Sequence, residues 1–135
     1  MAVGGWILDK SAAARLDVTD IRAELEELAG VLFICPVGEL EQRYSARSAA
    51  DYDELAESLR DAFPRAEPPP DVLNRALALQ RDLAHHHGMW HRTSIPDLLI
   101  AETALHNDLG VVHVDRDYDR IAEVRPLTAR RLRKK

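Results

Sequence analysis

Hydrophobic positions along this chain fall into two kinds of pattern. Short unbroken apolar runs occur at Gly4-Gly5-Trp6-Ile7-Leu8, Val31-Leu32-Phe33-Ile34-Cys35 and Val111-Val112-His113-Val114. Each reads as a strand, and the second, flanked by glycine and proline, has the pattern of a strand buried on both faces. Between them apolar residues recur every third or fourth position. Asp9 ends the first run, and Ser11 to Arg15 has helical composition. Thr19 is placed as an N-cap before Ile21, Leu25, Leu28 and Ala29, with Gly30 ending that helix. Pro36 opens a helix carrying Glu39, Leu40 and Tyr44. Asp51 is placed as the cap of a helix with Leu55, Leu59 and Phe63, which Pro64 stops, and Pro68-Pro69-Pro70 forms a stiff connector. Asp71 then caps a long helix with Val72, Leu73, Ala76, Leu77, Leu79 and Leu83 expected inward, running into His85-His86-His87-Gly88. Ile95-Pro96-Asp97 starts a further helix through Leu98, Leu99, Ala101 and Leu105, ended by Asn107 to Gly110. Asp115 to Ile121 reads as a turn and short helix, and Glu123-Val124-Arg125 as a last short strand.

Strands separated by such long helical segments cannot pair as hairpins. The expected fold class is therefore α/β: a central parallel sheet flanked by helices in an α/β/α arrangement. At 135 residues a single domain spanning 1–135 suffices. Hydrophobic residues at 46% and charged residues at 30% fit an ordinary globular protein. The apolar run from Gly30 to Gly38 falls far short of the ~20 residues that span a bilayer. The N-terminus lacks the basic region and apolar core of a signal peptide, so a cytoplasmic location is expected, with no membrane partner. Cys35 is the sole cysteine, which excludes an internal disulfide and a thiolate zinc cluster and leaves it as a small core residue.

Net charge is −5, but residues 125–135 form a basic C-terminal segment with Arg125, Arg130, Arg131, Arg133, Lys134 and Lys135 and no acid. It reads either as a contact for a phosphate backbone or acidic partner, or as a frayed, solvated terminus.

The most informative feature is the placing of four acids. Asp9 and Asp115 directly follow strands, while Glu39 and Asp97 lie one turn inside helices opened by Pro36 and Pro96. Ligands of open parallel sheets bind outside the carboxyl ends of the strands. Carboxylates converging there repel one another unless a cation neutralises them, and oxygen donors suit Mg²⁺ or Mn²⁺. Such a site positions water and stabilises charge on a phosphodiester without a nucleophilic side chain. Ser11 is placed to hold a carboxylate or a bound water. Each acid alone also has an ordinary explanation: Asp9 as a helix cap, Asp97 and Glu39 as first-turn acids favoured by the helix dipole, Asp115 as a turn residue. Their shared position at sheet-to-helix transitions favours one common site.

With WILDKSA at the start, PVGELEQRY in the middle, IPDLLIAETAL before the last clear strand and HVDRDYDRIAEV after it, the sequence resembles the PIN-domain family, specifically the VapC-type toxins of bacterial toxin–antitoxin pairs. The resemblance covers essentially the whole chain; residues 51–90 match mainly in helical character. It implies that Asp9, Glu39 and Asp97 are the first three metal-binding acids. Asp115 is chosen as the fourth, with Asp117 a supporting or alternate ligand and Asp119 facing solvent. It implies a Mg²⁺-dependent endoribonuclease (Mn²⁺ as a possible substitute) with Asp9, Glu39, Asp97 and Asp115 catalytic. It further implies inhibition by a cognate VapB-type antitoxin, a homodimer and a larger toxin–antitoxin complex. Tyr118 matches the family's aromatic after the last acidic pair and is expected to pack beneath the site.

Conspicuous histidines are weighed against this reading. His85, His86, His87 and His91 suggest a metal tract, but Gly88 interrupts the helix and no carboxylate or cysteine completes a zinc set at motif spacing. His91 and Arg92 stand shortly before Asp97 and are candidates for the RNA groove. His113, inside an apolar strand, reads as a satisfied core histidine. Two further functions remain to be separated from the nuclease by experiment: a PIN-like module that binds RNA or protein without cutting, and a metal-storing or sensing protein built on the histidines.

Overall fold

A computed structural model of the chain describes residues 3–13, 23, 25–27, 31–86, 88, 92–114 and 117–132. Among these, β1 (Gly5–Leu8), β2 (Val31–Phe33), β3 (Gly110–His113) and β4 (Ala129–Arg131) form one parallel sheet in the order β2-β1-β3-β4. The helices in chain order are α1 (Lys10–Ala13), α2 (Pro36–Arg43), α3 (Ala49–Ala62), α4 (Val72–His85), α5 (Ile95–His106) and α6 (Asp117–Ile121). No helix among the described residues is long and apolar enough to cross a membrane.

Alternation along the strands divides the core in two. Ile7 and Val111 turn to one face and pack with Leu79, Leu83, Ile100, Tyr118 and Ile121, while Leu8 and Val112 turn to the other with Ala12, Leu25 and Leu132. Helices therefore cover both faces, as expected for a parallel sheet. α5 is apolar around most of its circumference, with Leu98, Ile100, Ala101, Thr103 and Ala104 all buried. Such a helix belongs in the interior. Its C-terminal turn passes through Asp108 at φ 55°, a left-handed conformation that aspartate tolerates. Gly110 then enters β3 where a Cβ would lie 2.6 Å from the Trp6 ring and 2.9 Å from the Thr128 carbonyl oxygen.

Four expectations are corrected. β2 is an edge strand rather than one buried on both faces, and Val31 is 52% exposed. Its apolar run is explained further on, where Ile34 and Cys35 are buried. There the chain after α3 returns alongside: Ile34 N donates to Pro64 O (3.0 Å) and Ala66 N to Ile34 O (2.8 Å). The cap of α3 is Ser48, whose Oγ accepts from Asp51 N at 3.0 Å, while Asp51 accepts from Arg47 N at 2.9 Å. Asp51 is thus the partner of the cap. On α4, Ala76, Leu79 and Leu83 face inward but Leu73 and Leu77 stand exposed, because they lie on a flank of the helix along a groove shared with Ile95. The last strand is Ala129–Arg131, and Ala122 to Val124 instead form the turns that end α6. This edge strand carries arginines outward, so it has no apolar run to read, and burial resumes at Leu132. Part of the basic segment is accordingly sheet rather than frayed terminus. Of the helix placed after Thr19, Ala23 and Leu25 to Glu27 are helical, and the rest lies outside the described residues.

Candidate active site

From β1 the chain moves to β2 on one side of the sheet, and later places β3 and β4 on the other. Connections diverging in this way open a crevice at the carboxyl ends of β1 and β3.

Asp9 stands at that crevice. Its backbone N donates to Val112 O at 3.2 Å, extending the β1–β3 ladder by one step, and its side chain is 3% exposed. Oδ1 accepts from Ser11 Oγ at 2.6 Å and from Ala12 N at 3.0 Å, so Asp9 also caps α1. Ser11 Oγ in turn accepts from Val114 N at 3.0 Å, tying the loop after β1 to the end of β3. The carboxylate is thereby held in one orientation.

Asp97 arrives from the other direction. Ser94 caps α5, accepting from Asp97 N at 3.4 Å, and places Asp97 in the first turn. The Asp97 carboxyl is 8% exposed, and its Oδ1 accepts from Tyr118 Oη at 3.1 Å. Burial above all, then a hydrogen bond with the Asp117 carboxyl and the charge of Asp9, push it up to about 7, against the opposing bonds from Tyr118 and Ser94. Near neutral pH, Asp97 therefore readily carries a proton, with Asp117 its hydrogen-bond partner. Tyr118 is wholly buried and its hydroxyl is driven well above its ordinary value by burial and by the neighbouring acids, so it is a permanent donor. Asp117 also accepts from Arg120 Nη1 at 3.0 Å. Behind Tyr118 lies His113, fully buried, with ring centroids 5.0 Å apart and Nε2 3.8 Å from Asp119 Oδ1.

Glu39 is brought in by α2. A Cβ on Gly38 would sit 3.8 Å from the Leu8 carbonyl oxygen, so the first turn of α2 lies against the end of β1. The Glu39 carboxylate is buried and engaged by two arginines: Oε1 by Arg43 Nη2 at 3.1 Å and Oε2 by Arg65 Nη2 at 2.6 Å. The second contact is close but not aligned as a hydrogen bond. It is an ion pair, since attraction between full charges does not need that alignment. Arg43 is itself held over the Tyr52 ring, 5.5 Å from its centroid.

The described site therefore joins Asp9, Asp97 and Asp117 with Ser11 and Tyr118, while Glu39, in the first turn of α2 against the end of β1, is held in its own ion pairs. Asp115 and His91 lie outside the described residues, and Arg92 is exposed just ahead of α5. Among the described residues no three His, Cys, Asp or Glu side chains close on one point tightly enough to hold an ion. His86 lies 3.7 Å from Glu123, and His87 is outside the described residues. Sequence reasoning missed Arg43 and Arg65. Arg43 carried a readable signal, four residues after Glu39 on one helix face. Arg65 carried none, because only the return of the chain past Ile34 brings it there. The donor set fits a hard divalent cation: it is all oxygen, Asp9 and Asp97 are buried, and the raised Asp97 shows crowded negative charge that a cation would relieve.

Fold and site together define a parallel α/β domain with a carboxylate-lined crevice at its switch point. A family model described as the PIN domain matches residues 7–124. The chain belongs to the PIN-domain family and, within it, to the VapC-type toxins. It is 57% identical over 124 residues to Ribonuclease VapC17 of Mycobacterium tuberculosis, covering 90% of each chain. It is 39% identical over 121 residues to Ribonuclease VapC21 of the same species, covering 88% of this chain and 87% of that one. Among solved structures, the DNA-bound VapBC complex from Salmonella typhimurium includes a chain of the same fold, with TM-score 0.74 at 17% identity, covering 94% of this chain and 97% of that one. VapBC2 from Rickettsia felis, bound to a promoter DNA fragment, also scores 0.74 at 14% identity, covering 95% and 98%.

Proposed function

We propose that this protein is a Mg²⁺-dependent endoribonuclease, the toxin of a toxin–antitoxin pair. The observation that carries the reading is the buried Asp97 carboxyl, hydrogen-bonded to Asp117 and pushed up to about 7 beside Asp9 at the switch-point crevice. Acids are crowded there at a cost to the fold, which suits a site that functions with a bound cation. The naming of its relatives as ribonucleases supports the activity.

Asp9, Glu39, Asp97 and Asp115 would hold Mg²⁺ or Mn²⁺, with Asp117 supporting or replacing Asp115. When bound, such an ion supplies charge neutralisation at the scissile phosphate and a water of lowered pKa. The chain's own residues do the rest. Ser11 and the Ala12 amide keep Asp9 oriented, and Tyr118 fixes the rotamer of Asp97. Asp117, hydrogen-bonded to Asp97 and held by Arg120, would support the ion's ligands. No side chain acts as nucleophile. Arg92, exposed ahead of α5, and His91 are assigned to the RNA path. For partners we assign RNA, a VapB-type antitoxin and a second copy of the chain. The complexes among its structural neighbours support the antitoxin, and the exposed Leu73, Leu77 and Ile95, lining one groove, support an apolar contact.

One observation favours a second reading, a PIN-like module that binds RNA or protein without cutting: both Glu39 oxygens are taken by arginines. Purified protein incubated with RNA and Mg²⁺ or Mn²⁺ separates the two. The nuclease cuts, and Asp9→Asn abolishes cutting while leaving the circular dichroism spectrum unchanged. Retention of full cleavage by Asp9→Asn or Asp97→Asn would refute the assignment. Metal binding without turnover on any RNA would establish the second reading.

A further inference from the structure

The carboxyl end of β2 borders a cavity of about 310 Å³ lined by Ile34, Glu39, Arg60, Phe63, Pro64 and Arg65. The backbone bonds between Ile34 and the Pro64–Ala66 segment fix its floor at the carboxyl end of β2, the end of the sheet that carries the acidic crevice. Its chemistry differs from that crevice. Arg65 is half exposed and reaches Glu39 from the mouth, while Arg60, in the last turn of α3, is exposed and makes no ion pair among the described residues. Phe63, Pro64 and Ile34 supply an apolar wall. Two guanidinium groups beside an aromatic and aliphatic surface are suited to a phosphate joined to a flat, apolar-faced ring.

We propose that this cavity is a nucleotide subsite, taking a ribonucleotide that flanks the cleaved phosphodiester. Arg60 and Arg65 meet its phosphate, and Phe63 and Pro64 its base. The assignment rests on the ribonuclease reading and extends it. A strand that brings one phosphate to a cluster of acids is repelled there, so its neighbouring phosphates need positive charge close by. Arg65 joins the two regions, because the guanidinium that neutralises Glu39 in the free protein faces the cavity where the flanking phosphate would enter. It acts as a positioning residue for both, and Arg60 as a binding residue for substrate alone.

Arg60 gives the decisive test, since its replacement leaves Glu39 with both arginines. On a single-stranded RNA that the wild-type chain cuts, Arg60→Ala should raise KM about fivefold to tenfold with kcat within about twofold. The slope of log(kcat/KM) against log[salt] should become shallower by about 0.7, the value for one phosphate contact on a single strand. Arg60→Lys should restore that slope. In the cleavage-deficient Asp9→Asn background, fluorescence anisotropy with the same RNA should show the same weakening on adding Arg60→Ala. Arg65→Gln should raise KM and also lower kcat through Glu39. Unchanged KM, anisotropy and salt slope in Arg60→Ala, with wild-type cleavage intact, would overturn the subsite and leave the ribonuclease reading standing. Weakened binding of a co-expressed antitoxin with RNA KM unchanged would reassign the cavity to a protein partner and equally overturn it. Absence of RNA cleavage by the wild-type chain would remove both readings.

Discussion

Asp97→Asn should inactivate this protein and, without metal, stabilise it. The carboxyl moves from an ordinary 3.8 to about 7 in the fold, foremost because it is buried and then because Asp117 and Asp9 crowd it. An acid whose folded pKa is raised contributes its full stability below the unfolded value and loses it as pH rises through the folded one. The window here is pH 4 to 7. One unit corresponds to 1.36 kcal/mol, so ionising Asp97 by pH 8 costs the fold at most about 4 kcal/mol. An asparagine reproduces the protonated state: its amide donates to Asp117 and its carbonyl oxygen accepts from Tyr118. At roughly 4 °C per kcal/mol for a domain of this size, Asp97→Asn should melt above wild type at pH 8 in EDTA, by up to about 16 °C. Near pH 4 the two should coincide. Thermal melts followed by circular dichroism across that range provide the measurement. A melting temperature below wild type at pH 8, or a difference that does not grow with pH, would refute the account of the site as strained by its own acids.

Other outcomes follow from the same geometry. Mn²⁺ added at pH 8 should raise the melting temperature of wild type well above that in EDTA, with a smaller rise at pH 5.5 and in Asp97→Asn; equal shifts in all three would place the ion elsewhere. Tyr118→Phe deletes a buried donor to Asp97 and should cost about 1–3 kcal/mol in urea denaturation at pH 8, with a smaller loss at pH 5 where Asp97 is protonated. Gly110→Ala drives a methyl into the Trp6 ring and the Thr128 carbonyl and should cost about 1–3 kcal/mol by the same method. Cys35 is wholly buried and its thiol is raised to about 11 by that burial, so a thiol-specific reagent should label native protein no faster than the chain unfolds.

Much of the fold was legible because its signals are local. The apolar runs ending at Leu8, Cys35 and Val114 marked the strand segments, and Pro36, Pro64, Ser94-Ile95-Pro96 and Gly110 punctuated the helices by backbone chemistry that operates wherever they occur. The parallel sense of the sheet followed from the length of the connections. Misreadings came where burial is decided by distant neighbours. β2 has an interior strand's composition yet lies at an edge, because the sheet grows from β1 toward β3 and β4 on the other side. β4 has no apolar run because one of its sides is open to solvent, so its arginines concealed it. Leu73 and Leu77 carry the hydrophobicity of core residues on a helix face that no described element covers.

The acids divide along the same line. By itself the sequence determined which carboxylates stand at strand-to-helix junctions, since each is set by its own few neighbours: Asp9 after Leu8, Glu39 after Pro36, Asp97 after Pro96. It also supplied the resemblance that ordered them into one site. Only the tertiary structure decided how they meet. The packing of α5 and α6 against the sheet buries Asp97 beside Asp117 and Tyr118, and the β1–β3 ladder sets Asp9 near enough to raise Asp97. The return of the chain past Ile34 delivers Arg65 to Glu39. Charges interact through space over several ångströms and through whatever dielectric the packing leaves, so no pattern along the chain encodes their coupling.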